Sequence, residues 1–308
     1  MESKSAVNHK NSSYKTEILK NKDKYLLLAP FFILFTLFTL IPVIVSVPIS
    51  FTQFNMLEFP KWVGWENFSR LFIDDEVFLI AVKNTIIFAF LTGPISYFAC
   101  LFFAWLINDL RRSLRTAFTF VFYAPSISGT VFYIWQFIFS GDSYGFVNGL
   151  LMRFGILKDP IQWLTDPKYN LTIVILVQLW LSLGAGFLAF IAGFQSIDSN
   201  LYEAGAIDGI RNRFQELIYI TLPSMGPQLL FGAVMQIGSS FAAGGVAVAL
   251  TGFPSTDNST TTIVTHAMDY GTIRYEMGYA AALSFVLFLA MIFTNSIIRK
   301  ILQKVASD

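Results

Sequence analysis

The sequence predicts an all-α, polytopic membrane protein with six transmembrane helices and a helical loop, on the cytoplasmic side, between the fourth and fifth spans. Three observations carry that expectation. Of 308 residues, 55% are hydrophobic and 17% aromatic while only 13% are charged, and mean hydropathy is positive, a balance foreign to soluble domains. Six apolar stretches each reach the ~20 residues that cross a hydrocarbon core of ~30 Å. The basic residues lie asymmetrically between the stretches.

In chain order, Met1 to Lys24 is polar, carries Lys4, Lys10, Lys15, Lys20, Lys22 and Lys24, and has no apolar period; residues 1–24 are expected to be a disordered cytoplasmic arm. Residues 25–300 form the transmembrane domain, and 301–308 a cytoplasmic tail. Tyr25 to Phe51 is the first span, without a charge and too long for a signal-peptide core, with Pro42 and Pro48 expected to bend it. Thr52 to Val77 is a polar connection in which Trp62 and Trp65 suit the membrane interface. Asn84 to Ile107 is the second span, with Gly93-Pro94 as an expected kink. A basic turn of Arg111, Arg112 and Arg115, read as an orientation signal, leads to the third span, Ala117 to Phe139. Gly141 to Asn170 is rich in turn signals. Leu171 to Phe194 is the fourth span, Gln228 to Thr251 the fifth and Met277 to Ile298 the sixth, after a Ser/Thr-rich connection from Phe253 to Glu276.

Placing both termini, the Arg111 turn and the Ser199 loop on one side collects 14 of the 21 Lys and Arg there. The positive-inside rule makes that side cytoplasmic.

The polar interruption at Ser199 to Pro227 reads as two short helices. Ser199 or Asn200 can cap the first, Glu203 sits in its first turn where the helix dipole favours an anion, and Gly209 can end it in a left-handed conformation. Phe214, Leu217, Ile218 and Thr221 recur at helical spacing in the second, which Pro223 and Pro227 are expected to stop. Ala204-Gly205-Ala206 leaves the first helix with little side-chain bulk, a shape open to close approach by another protein.

These residues resemble the conserved loop of the membrane subunits of binding-protein-dependent ATP-binding-cassette (ABC) importers. The family pattern of Glu-Ala-Ala, three residues, Gly, nine residues, Ile, one residue, Leu-Pro is matched by Glu203-Ala204-Gly205, Gly209 and Ile220-Thr221-Leu222-Pro223. Gly205 stands for the second alanine, and ten residues rather than nine separate Gly209 from Ile220, an extra residue expected to lengthen the turn near Ile210 to Arg213. Gly64-Trp65-Glu66-Asn67-Phe68 leading to Asn84-Thr85, Gly149-Leu150-Leu151 to Trp163-Leu164-Thr165-Asp166-Pro167, and Gly278-Tyr279-Ala280-Ala281-Ala282 look like the maltose-type, carbohydrate-importing branch. The resemblance covers about Tyr25 to Lys300. It implies a bacterial plasma-membrane complex with a cytoplasmic ABC ATPase dimer, a second permease subunit and an extracytoplasmic solute-binding protein. It further implies that Glu203, Ala204, Gly205, Asp208, Gly209, Leu222 and Pro223 couple to the ATPase.

The six stretches contain no Asp, Glu, Lys, Arg or His. That argues against ion coupling, which places ionisable groups inside the bilayer. There is also no Gly-x-x-x-x-Gly-Lys-Ser/Thr loop, so ATP is expected to be bound by a partner and the chain to need no cofactor of its own. A lone cysteine and two histidines supply neither a disulfide nor a metal cluster. Cys100 reads as a small buried residue. No paired carboxylates or Ser/His/Asp set lies in the spans, so the chain is not expected to be an enzyme, and nucleic acid is not an expected partner.

A pathway without buried charge suits neutral polar solutes, carbohydrate best, because sugar hydroxyls need amide and hydroxyl partners and pyranose C–H faces pack on aromatic rings. Gln178 and Ser182 share a face of the fourth span, Gln236, Ser239 and Ser240 one of the fifth, and Tyr133 and Gln136 one of the third. The same residues also suit helix packing, with Ser and Gln bonding across contacts, and Trp180 fits either role. A polyol, sugar phosphate or amino acid remains open as solute, as does an ATP-independent carrier.

Overall fold

The computed structural model describes residues 21–129 and 131–307, so most of the expected arm, residues 1–20, lies outside the described residues. The chain is built almost wholly of helices. Helix α1 (Lys22–Phe35) passes through a π turn (Thr36–Leu40) into α2 (Ile41–Ile49), beginning three residues before Tyr25, inside the stretch expected as arm. None of these residues is buried.

A two-stranded antiparallel ribbon follows, β1 (Thr52–Gln53) against β2 (Lys61–Trp62), then α3 (Glu66–Ile73). Helix α4 (Glu76–Asn108) starts well before Asn84, because the Asp75 carboxylate caps it by accepting from the Phe78 N–H at 2.9 Å. It continues as one helix through Gly93-Pro94.

The third apolar stretch is not one helix: α5 (Arg112–Ile127) and α6 (Phe132–Ile138) meet at 88°. Pro125 near the end of α5 and the extended Ser128 account for the turn. Helix α7 (Phe146–Arg153) lies in the turn-rich connection. The fourth stretch is α8 (Asn170–Leu181) and α9 (Ala185–Ser196), interrupted at residues 182–184.

The polar loop holds α10 (Ser199–Ile207), α11 (Arg213–Glu216), a π turn (Leu217–Thr221) and α12 (Leu222–Ser224). Helix α13 (Gly226–Phe241) leaves it at 84°, and α14 (Gly245–Thr251) completes the fifth stretch after a break. Helix α15 (Ile263–Met268), a π turn (Asp269–Ile273) and α16 (Met277–Ser307) close the chain. Among the described residues four helical rods are long and apolar enough to cross a membrane, and up to six if each bent pair counts as one.

Both π turns that precede a proline end two residues before it: Thr36–Leu40 before Pro42 and Leu217–Thr221 before Pro223. A π turn holds an extra residue and relaxes the bond that proline removes. Pro42 therefore sits within helix, whereas the second loop helix stops at Ser224, between Pro223 and Pro227, and Pro227 opens α13 at its first turn.

Buried side chains form three clusters along the bundle. Phe68, Leu71, Phe78, Tyr279 and Leu283 fill the end opposite the polar loop. Phe88, Val174, Val177 and Ala247 fill the middle. Cys100, Phe187, Phe190, Phe194 and Met225 fill the loop end.

Candidate functional site: the coupling loop and the polar faces behind it

Helix α10 is fixed at both ends by bonds within a few residues of sequence. The cap is Asp198, one residue before the expected Ser199 or Asn200, and its carboxylate accepts from the Asn200 N–H at 3.0 Å. At the other end Gly209 adopts φ +96°, the left-handed conformation expected of it. The Ile210 N–H donates to the Gly205 carbonyl at 2.9 Å and the Gly209 N–H to the Ala206 carbonyl at 3.4 Å, the paired bonds of a Schellman motif.

Gly205 is the one buried residue of α10. A Cβ there would lie 2.6 Å from Ile220 Cδ1 and 3.1 Å from Ile210 Cδ1. Its missing methyl thus admits its own loop, not a partner, and holds α10 against the π turn. Tyr202 Oη and Thr221 Oγ1, 3.0 Å apart, add a second tie, and Arg213 pairs with Asp109 at the end of α4 at 2.5 Å.

The backbone widens into a π turn at Leu217–Thr221. Glu203, Ala204, Asp208, Gly209 and Pro223 are exposed and Leu222 half-buried. Phe214, expected on an apolar helix face, is 62% exposed, and Ile207 and Tyr219, given no contact role from the sequence, are 87% and 68% exposed. Uncovered apolar side chains at these fractions on a polar loop mark a contact surface.

The polar residues of the spans fall into two groups. Gln236 is buried and fully engaged: Nε2 donates to the Ser182 carbonyl at 3.1 Å and lies 3.1 Å from Cys100 Sγ, and Oε1 accepts from Ser96 Oγ at 3.1 Å. The Ser182 carbonyl lies at the break between α8 and α9 and also accepts from the Gly184 N–H at 2.8 Å, so the amide is a second donor that ties α13 to the break. Ser182 Oγ donates to Leu179 O at 2.6 Å and Ser240 Oγ to Ile237 O at 2.9 Å, both within their own helices. Gln178 Nε2 reaches Ser239 Oγ at 3.3 Å, and that serine is exposed. Gln136 Nε2 donates to Ala249 O at 2.5 Å, and Tyr133 is 68% exposed. Trp180 packs edge-on against Trp135 at 5.3 Å.

At the opposite end lies a network the sequence reading did not find. Buried Asp75 accepts from Tyr279 Oη at 2.6 Å and lies 2.7 Å from His266 Nε2. Burial alone would raise its pKa, but the bonds from Tyr279, His266 and the Phe78 N–H, with the attraction of the imidazole, hold it below the usual carboxylate range. Arg70 stacks over Tyr279, 4.3 Å from the ring centroid, and pairs with Glu276 at 2.5 Å. Asn84 Nδ2 donates to the Asn258 and Thr261 carbonyls, and Thr85 Oγ1 accepts from the Ile263 N–H at 2.9 Å. Asn84-Thr85 therefore pins the connection before α15.

The chain matches the family described as binding-protein-dependent transport system inner membrane component over residues 86–307, and it belongs to that family. Its members are permease subunits of ABC transporters. Among relatives, the probable ABC transporter permease protein YesP of Bacillus subtilis is 33% identical over 271 residues, covering 87% of this chain and 86% of that protein. The lactose transport system permease protein LacF of Rhizobium radiobacter is 31% identical, covering 86% and 89%. A crystal structure of a bacterial ABC transporter that imports the acidic polysaccharide alginate matches with TM-score 0.73 and 27% identity, covering 94% of this chain and 99% of that one. The same transporter in complex with a pentasaccharide-bound periplasmic protein matches with TM-score 0.74 and 26% identity, covering 93% and 97%. The chain is thus a multi-pass membrane component of an ABC importer.

Proposed function

We propose that this permease forms the pathway for an oligosaccharide and that Ser199 to Pro227 transmits the stroke of a cytoplasmic ABC ATPase dimer. The observation that carries the reading is the build of α10: backbone capping and the Gly205 contact hold it rigid, while Ile207 and Phe214 project uncovered. A rigid knob with apolar tips suits a cleft in a partner. Glu203, Asp208 and Gly209 would face that cleft, and Leu222-Pro223 would pass the motion into α13.

ATP would be bound by the partner alone, since the chain lacks a phosphate-cradling glycine loop. A second permease would complete the pathway, and a solute-binding protein would deliver sugar at the face opposite the loop. Both termini and the loop would lie on the cytoplasmic side, where the basic residues concentrate. Carbohydrate is favoured because relatives are named for lactose and arabinooligosaccharides, and the transporter of similar structure imports alginate. The exposed Ser239 beside Gln178, with Tyr133, would contact solute, whereas Gln236, Ser182 and Ser240 would secure the helices.

The test is uptake of labelled oligosaccharides into vesicles holding this chain, with ATPase, second permease and binding protein each omitted in turn. Uptake that needs every component and internal ATP is expected. Uptake by this chain alone, insensitive to ATP, would overturn the coupling role.

A further inference from the structure

A groove of ≈ 460 Å³ runs between α5 and α9 at the end of the bundle that carries the coupling loop. Its polar lining is Arg112, Arg115, Thr116, Thr119, Tyr123 and Gln195. On α5 these residues recur at three and four, so an otherwise apolar segment carries one continuous polar stripe. Thr116 Oγ1 donates to Arg112 O at 2.9 Å and Thr119 Oγ1 to Arg115 O at 2.8 Å. With their protons used by the helix, both oxygens remain acceptors for hydroxyls of a solute.

Higher up, the stripe meets the breaks in both helices: a Cβ on Gly184 would lie 3.5 Å from Ser126 Cβ. Interrupted helices within a membrane belong beside a cavity, where the freed backbone is not exposed to lipid. The two arginines set the charge of the lower end. Arg115 Nη1 donates to the Asn108 carbonyl at 3.0 Å, which fixes its guanidinium. Among the described residues neither Arg112 nor Arg115 forms an ion pair, and the neighbouring carboxylate, Asp109, is taken by Arg213.

We propose that this groove is the loop-side segment of the translocation pathway and that Arg112 and Arg115 make it a site for sugars bearing a carboxylate. Guanidinium groups pair with carboxylates through parallel charge-assisted bonds, hydroxyls and the Gln195 amide meet sugar hydroxyls, and the Tyr123 ring packs on a pyranose face. The proposal rests on the oligosaccharide reading above and sharpens it from neutral to acidic solutes. It reassigns the basic turn, expected to be an orientation signal only.

The experiment uses the assembled importer in vesicles and compares ATP-driven uptake of a galacturonate oligosaccharide with that of its neutral galactose counterpart. Arg112→Gln and Arg115→Gln should each lower galacturonate uptake by ~10-fold while changing neutral uptake little. Arg111→Gln, outside the groove, should change neither. In the purified complex, Thr119→Cys should react with a polar maleimide, buried Cys100 being shielded, and galacturonate oligosaccharide should protect it.

Equal losses for both sugars in all three arginine variants would reduce the turn to an orientation signal. Wild-type uptake of the neutral sugar alone, or absence of Thr119→Cys protection, would overturn the acidic site while leaving the importer reading intact. Wild-type uptake that rises with anionic lipid, a response lost in Arg112→Gln for both sugars, would assign the groove to lipid headgroups. No uptake of either sugar together with no protection would defeat both readings.

Discussion

The two ends of the bundle are held by opposite means. At the loop end, α10 is secured by contacts within a few residues: Asp198 caps it, Gly209 ends it, and Ile210 closes over Gly205. Its side chains are left uncovered. At the other end Asp75 meets His266 and Tyr279, and Arg70 meets Glu276, across roughly two hundred residues of sequence. There the polar groups are turned inward and spent on one another. Local fastening leaves a surface free for a partner, whereas long-range fastening makes a hub around which segments are fixed.

Breaking the hub should have the largest effect. Asp75→Ala removes an acceptor from two buried donors and uncaps α4, and should destabilise by about 3 kcal/mol. The apparent melting temperature of the purified protein in detergent should fall accordingly. The same carboxylate predicts a pH response. Its pKa is depressed in the folded protein, so its stabilisation is present above the unfolded value of about 3.9 and is lost as pH falls through the lower folded value. Melting between pH 7 and pH 3 should show this loss, and Asp75→Asn should flatten it.

Gln236→Leu comes next. It removes the amide from the Ser182 carbonyl and the Ser96 hydroxyl, which keep the Gly184 N–H and the Thr92 carbonyl as partners, and should cost about 1 kcal/mol. Melting curves unchanged by Gln236→Leu, alongside altered sugar selectivity, would move Gln236 from helix fastening back to the pathway.

At the loop end, Ile207→Asp should leave melting within about 0.5 kcal/mol of wild type, because the side chain is uncovered. It should nevertheless abolish sugar-stimulated ATP hydrolysis in the assembled complex. A drop in stability without loss of stimulation would reverse the contrast between the two ends.

This division also decides what could be read from the sequence. The coupling loop was legible because its determinants are local: cap, glycine and proline signals lie within one short stretch, and Gly209 is left-handed as expected. The six apolar stretches were legible from composition alone. Their interruptions were less so: the third stretch turns by 88° between α5 and α6, and the fourth is broken at residues 182–184.

Gln236 shows the limit most clearly. A glutamine on the polar face of a span has the same pattern whether it meets solute or a broken helix, and only the position of the Ser182 carbonyl separates the two. Asp75, His266 and Tyr279 carried no pattern that joined them. Two of them lie in connections and one among the alanines after Gly278, and only tertiary folding brings them together. The acidic run at Asp74-Asp75-Glu76 did contain the cap signal for α4, and Lys83 alone divides the apolar residues after it from the stretch beginning at Asn84.

The most direct measurement is sugar-stimulated ATP hydrolysis by the assembled importer carrying Gly209→Pro, with assembly checked by co-purification of the ATPase. Proline cannot adopt the φ of +96° found at Gly209, so the end of α10 must be rebuilt. Loss of stimulation in a complex that still assembles is expected. Assembly and stimulation both at the wild-type level would contradict the role of α10 as the lever.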